Sequence, residues 1–367
     1  MHFTKNYVAV CSIFILLVSS CSKNKHNETS LPIIVDINLA DNKLIPIDKS
    51  KLLQLETNDS SLIYDICALA YGKDTLIIQS RNFVKAFDSH DGKYLYNISR
   101  VGQGPGEYTG IMHFWNNNDT ICLLNSGTSD VLMFNVDGSF IGKKIRGSEI
   151  GYGSSFVYIV DAPDKRGYYI INCYRGGTSE NNPKYSFYSL QTRETTDLPG
   201  CELLDGSFTP DRMITDFENN RVLSWDQLRD TLYVINPDGQ RPLYAFDFGK
   251  NSFPSDIQAI PQFHLRVQEY TKNKSETPYA SFIKYYQPKG DNLYFSFMTS
   301  DAKAFLAEYN EKSRKITTFC LYDPTDRYAQ APFFKIDEDN LIVAMTDKND
   351  TEANPSLYTL PIKDIPR

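Results

Sequence analysis

Chemistry would be sought first in Gly102-Gln103-Gly104-Pro105-Gly106-Glu107-Tyr108, because three glycines and a proline so close together cannot continue a strand or a helix. The segment must be a shaped loop. Backbone N–H groups turned the same way in such a loop form a nest for an anion or a carboxylate. Arg100 would add positive charge, and Gln103, Glu107 and Tyr108 could hydrogen-bond a ligand. The competing reading makes the loop a tight crossing that Glu107 fastens by accepting from its own amides. Two nucleotide-binding readings fail: a P-loop needs Gly-Lys-Ser/Thr opening a helix, and a dinucleotide fingerprint needs GxGxxG, whereas the spacing here is GxGxG with a strand to follow.

No GxSxG elbow, HExxH pair or DxDxDG calcium loop occurs, so no catalytic residue is assigned. Seven cysteines are present. Setting aside Cys11 and Cys21 leaves Cys67, Cys122, Cys173, Cys201 and Cys320, widely spaced and without CxxC. They are expected to be buried thiols acting as small hydrophobes, with one or two disulfides open to them. The five histidines show no ligand spacing, and neither metal nor cofactor is expected.

The elements that must position these residues repeat. Runs opening with a turn residue and continuing in β-branched, aromatic or aliphatic side chains begin at Asp74, Asp119, Gly167, Asn220, Asp291 and Asp339, in steps of 45, 48, 53, 71 and 48 residues. A period near 45–50 residues is what four-stranded propeller blades require. An apolar strand precedes each run and a third follows, ending at Asp91-Gly92, Asp137-Gly138 and Asp238-Gly239 in three units, the dipeptide of tight hairpins. The fold expected is all-β: a six-bladed β-propeller of four-stranded antiparallel blades over residues 31–367.

Two irregularities carry expectations. The last unit has no fourth strand, so the run Pro32–Ile37 is expected to supply it and close the ring. The long step of 71 is expected to hold a short helical insertion between blades four and five, at about residues 250–278.

On this frame the glycine loop joins the outer strand of blade one to the inner strand of blade two. His113, Tyr152, Arg212, Asp216, Tyr285 and Arg327 fall near the central channel. Turns between second and third strands, carrying among others Arg81, Asn82 and Arg175, form a polar ring on one face. The candidate ligand-binding set is thus Arg100, Gln103, Gly104, Glu107, Tyr108, His113, Arg175, Arg212 and Arg327, with most turn residues on that face expected merely to be solvated.

Residues 1–20 combine Lys5 with the apolar stretch Val8–Leu17, too short to span a bilayer, and end at Val18-Ser19-Ser20-Cys21. That pattern predicts a lipoprotein signal peptide, an acylated Cys21 and a flexible tether over residues 21–30. Loss of the signal removes one positive charge, Lys5, and takes the net charge from −7 to −8. An acidic chain without a Lys/Arg-rich run is a poor nucleic-acid binder.

The lipobox, the repeats and the Gly102–Tyr108 motif together resemble the lipid-anchored six-bladed β-propeller proteins of Bacteroidota, over essentially the whole mature chain. The resemblance implies a place in the cell envelope, at the outer membrane facing the periplasm or the cell surface, and supplies no catalytic residues. The function expected is a non-catalytic module, tethered to the membrane through Cys21, that binds a polar ligand or an envelope protein. The alternative is a glycan-directed hydrolase or lyase at the channel mouth. Two carboxylates, or His113 with an acid, in one deep pocket would favour the enzyme, and an apolar plug would favour the binder.

Overall fold

The second-strand runs are near-continuous in apolar residues, a pattern that suits a strand buried on both faces. In the computed structural model, which describes residues 31–117, 120–150, 156–172, 185–199, 212–225, 228–260, 262–272 and 277–366, each sits inside its own sheet. Leu76, Ile77 and Ile78 in the first, and Ile121 to Leu124 in the second, are almost wholly enclosed. Six antiparallel sheets result, each beginning with an innermost strand: Ala68–Tyr71, Ile111–Asn117, Phe156–Asp161, Arg212–Asp216, Ala280–Lys289 and Tyr328–Asp337.

Apolar side chains between neighbouring sheets make six successive cores. Leu123 and Phe134 meet Ile77 and Val84 between blades one and two. Phe333 and Ile342 meet Leu69 and Leu76 between blades six and one, which completes the ring. The wedge between blades four and five is the most aromatic: Trp225 stacks on Phe246 at 4.8 Å and meets Phe295 at 5.3 Å. The hairpin glycines Gly92, Gly138 and Gly239 have φ of +74°, +84° and +117°, the left-handed region that Asp-Gly turns exploit.

An N-terminal strand does close blade six, but it is not the run expected to. Leu52–Gln54 pairs antiparallel with Ser356–Pro361 as the outer strand of that blade. Ile33–Asp36 instead pairs parallel with the outer strand of blade four, and Lys43–Pro46 pairs parallel with the outer strand of blade five. The segment is therefore a belt laid over three consecutive blade edges. Its cause is a ten-residue repeat: Val35, Ile37 and Asn38 recur as Ile45, Ile47 and Asp48. The four apolar side chains point into the wedges. Asn38 and Asp48 each cap a single 3₁₀ turn by accepting from the backbone N–H two residues on, which steps the chain to the next blade.

A buried asparagine locks the closure. Asn354 Oδ1 accepts from Ile63 N–H at 2.8 Å, and its Nδ2 donates to Glu56 and Ser61 carbonyls at 2.6 and 3.0 Å. The insertion between blades four and five comprises helices at Ser255–Gln258 and Phe263–Lys272, held by Phe253, Tyr270 and Leu228. Among the described residues no helix is long and apolar enough to cross a membrane.

Candidate functional site

The innermost strands leave a central cavity of about 720 Å³ whose walls come from all six blades. It is neither plugged nor lined by paired acids: among the described lining residues the only carboxylate is Asp161, against the cations Arg81, Arg212 and Lys335. Asp161 is already engaged by Lys144 Nζ at 3.2 Å. Positive side chains thus concentrate in the channel of a protein that is acidic as a whole.

Arg212 opens the innermost strand of blade four, and its guanidinium lies 4.5 Å over the Tyr285 ring of blade five. Tyr285 is fixed in turn by donating to Ile66 carbonyl at 3.0 Å and by an edge contact with Phe333 at 5.0 Å. Stacking orients the guanidinium plane and leaves its N–H edges for an acceptor. No carboxylate pairs with Arg212 among the described residues. The tyrosine hydroxyl is pushed up to about 12, chiefly by burial, so Tyr285 stays a neutral donor.

Facing this pair, the His113 ring is sandwiched between Tyr158, 3.8 Å away, and Trp115, 5.1 Å away. Burial, then the Arg212 charge, pushes its pKa down to about 3, so the imidazole is neutral near pH 7. A base that weak is poorly matched to proton abstraction at neutral pH. The indole N–H of Trp115 is buried without a hydrogen-bond partner. Burial likewise lowers Lys335, and Lys284, beside Tyr285, is pushed down to about 8 by burial and then by Arg212.

Of the candidates expected from sequence, His113, Arg212 and Tyr285 meet in the cavity, as do Arg81 and Asn82. Arg100, Gln103, Gly104, Glu107, Tyr108 and Arg327 are not among its lining residues. In the glycine loop Glu107 Oε2 accepts from Gly104 N–H at 2.8 Å and its Oε1 from Arg100 Nε, while Tyr108 is buried in the wedge between blades one and two. A Cβ on Gly102 would stand 2.0 Å from Glu107 Oε2. The nest is filled by the loop's own glutamate. Arg327 donates to Asp347 at 2.8 Å, and Asp216 accepts from Arg221 at 2.7 Å, so both are engaged in structural ion pairs. Cys67 lines the cavity as a free thiol, and Cys122 and Cys320 are also free. Cys21, Tyr152, Arg175, Cys173 and Cys201 lie outside the described residues.

Sequence reasoning missed Trp115, Tyr158, Asp161 and Lys335. Each lies on an innermost strand whose position was expected, and Trp115 follows His113 by two residues, so alternation put both rings on one face.

Fold and cavity define an all-β propeller with a central site whose lining carries more cations than carboxylates. The chain belongs to the family described as Domain of unknown function (DUF4934), whose model matches residues 35–359. Among solved structures it is similar to a Bacteroides fragilis protein described as exported, with 16% identity over 89% of this chain and 98% of that one, and a TM-score of 0.62. It is also similar to a DUF4221 family member from Bacteroides vulgatus, with 12% identity, 84% and 95% coverage and a TM-score of 0.52. At such identities the likeness concerns the fold. A search of the curated proteins finds no match.

Proposed function

We propose that this protein is a non-catalytic binding module of the cell envelope, tethered through an acylated Cys21, whose central channel holds a small, acceptor-rich anion. The observation that carries the reading is Arg212, seated on Tyr285 inside the channel with no carboxylate partner among the described residues. Unpaired cations in a partly dry site are costly unless a ligand completes them. Lys335 adds a donor to the same space. An envelope location is supported by the Val18–Cys21 pattern and by likeness to a protein that is itself described as exported. The glycan hydrolase or lyase reading finds less support, since Asp161 is engaged by Lys144 and His113 has no acid beside it among the described residues.

The test compares sugar acids and aromatic acids with their neutral counterparts, for example glucuronate with glucose, by calorimetry and by tryptophan emission. Of the two tryptophans, Trp115 lines the channel and Trp225 is enclosed between blades four and five. The acids should bind, the signal should disappear in Trp115→Phe, and Arg212→Gln should weaken binding at least tenfold. Equal binding of neutral counterparts, undiminished in Arg212→Gln, would sink the proposal.

A further inference from the structure

The channel contains the same device twice. Arg81, in the turn after the second strand of blade one, places its guanidinium 4.5 Å over the Tyr64 ring, the separation found for Arg212 over Tyr285. Arg81 also lines the cavity, but Arg81 and Tyr64 are exposed to solvent, whereas the Arg212 pair is half-buried. Neither arginine has a carboxylate partner among the described residues. Arg81 holds a left-handed backbone with φ of +47°, a conformation that glycine or asparagine would adopt at less cost. Asn82, the neighbouring turn residue, lines the mouth beside it.

Resting on the reading of the channel as an anion site, we propose that the ligand carries two anionic groups along its length, one held by Arg212 in the depth and the other by Arg81 at the mouth. Such a molecule is an acidic oligosaccharide or an extended dicarboxylate, since both present carboxylates spaced along one chain. Each guanidinium is pre-oriented by its tyrosine, so the two sites act as linked modules and the second contact is intramolecular once the first has formed. Tyr64 is a positioning residue, which acts by keeping the Arg81 plane turned toward the cavity.

The experiment measures Kd for galacturonate, digalacturonate and adipate by calorimetry on the full chain without its signal segment, as wild type, Arg81→Gln, Tyr64→Ala and Arg212→Gln. In the wild type, digalacturonate or adipate should bind at least about tenfold tighter than galacturonate, the scale of one charge-assisted hydrogen-bonded contact. Arg81→Gln should erase that advantage, weakening galacturonate far less than the dianion, and Tyr64→Ala should reduce the advantage without abolishing it. Which of the two dianions gains identifies the source of the ligand. Equal affinity for one and two acidic groups, or an advantage that survives Arg81→Gln, overturns the two-anion proposal. Loss of galacturonate binding in Arg212→Gln is the separate result on which the channel reading stands, and its absence would overturn that reading instead. Arg81 and Tyr64 are exposed, so their variants should keep the wild-type melting temperature.

Discussion

Replacing Asn354 with alanine should open the ring at its seam. The side chain makes three hydrogen bonds to the segment Glu56–Ile63, two as donor and one as acceptor. Each contributes about 1 kcal/mol net, and truncation also strands the Ile63 N–H and the Ser61 carbonyl away from water, so the loss should total about 3–5 kcal/mol. The Asn354 backbone N–H would still donate to Thr57 Oγ1 at 2.9 Å. With an unfolding entropy of about 2.1 cal/mol/K per residue, a ring of this size has roughly 0.7 kcal/mol/K, so the melting temperature should fall by about 4–7 °C. Differential scanning calorimetry reads the shift, and urea unfolding should show the same loss at an unchanged slope. Thr57→Val, which removes a single acceptor, should cost about 1 kcal/mol and serves as the scale. A drop below about 1 °C in Asn354→Ala would mean that the ring is closed by strand pairing alone, and the reasoning from this side chain would fail.

Two further predictions concern parts away from the channel. Gly102→Val and Glu107→Ala should each lower the melting temperature, because one drives a side chain into the Glu107 carboxylate and the other removes the acceptor of the Gly104 N–H, yet the folded fraction of each should bind channel ligands as the wild type does. Binding lost at unchanged melting would return the glycine loop to the functional site. Asp323 accepts from the backbone N–H groups of Thr325, Arg327 and Tyr328; burial opposes its charge, but these bonds outweigh it and hold its pKa down to about 2. A carboxyl lowered on folding stabilises the native state above its unfolded pKa, near 4, and that contribution is lost as pH falls toward 2. Melting curves of Asp323→Asn should therefore show a shallower decline than the wild type across that window, and parallel declines would contradict the assignment.

The blades were legible because the same constraint acts six times. A strand enclosed by neighbours on both faces must be apolar throughout, and Asp-Gly supplies the positive φ its hairpin needs. Thr195–Asp197, the outer strand of blade three, escaped notice because an exposed edge tolerates polar residues. The belt was misplaced for a related reason. A short apolar strand fits any blade edge, so Pro32–Ile37 alone could not say which one; the repeat of Val35-Asp36-Ile37-Asn38 as Ile45-Pro46-Ile47-Asp48 was the signal that it steps from edge to edge. His113, Arg212 and Tyr285 were reachable because innermost strands face the channel. The glycine loop misled because a nest occupied by its own Glu107 has the composition of one that awaits a ligand. Only the distance from glutamate to amide separates the two.

The belt also sets an order of events. Ile33 finds its partner at Tyr244 and Leu52 at Tyr358, so the earliest-made strand of the propeller stays without a neighbour until blade four has been made, and the third belt strand until blade six has. Pairings so distant along the chain are slow to form, and a solitary apolar strand is prone to stray associations meanwhile. The proline in the second belt strand, Pro46, lacks an amide hydrogen, which makes that strand a poorer template for a stranger while it waits.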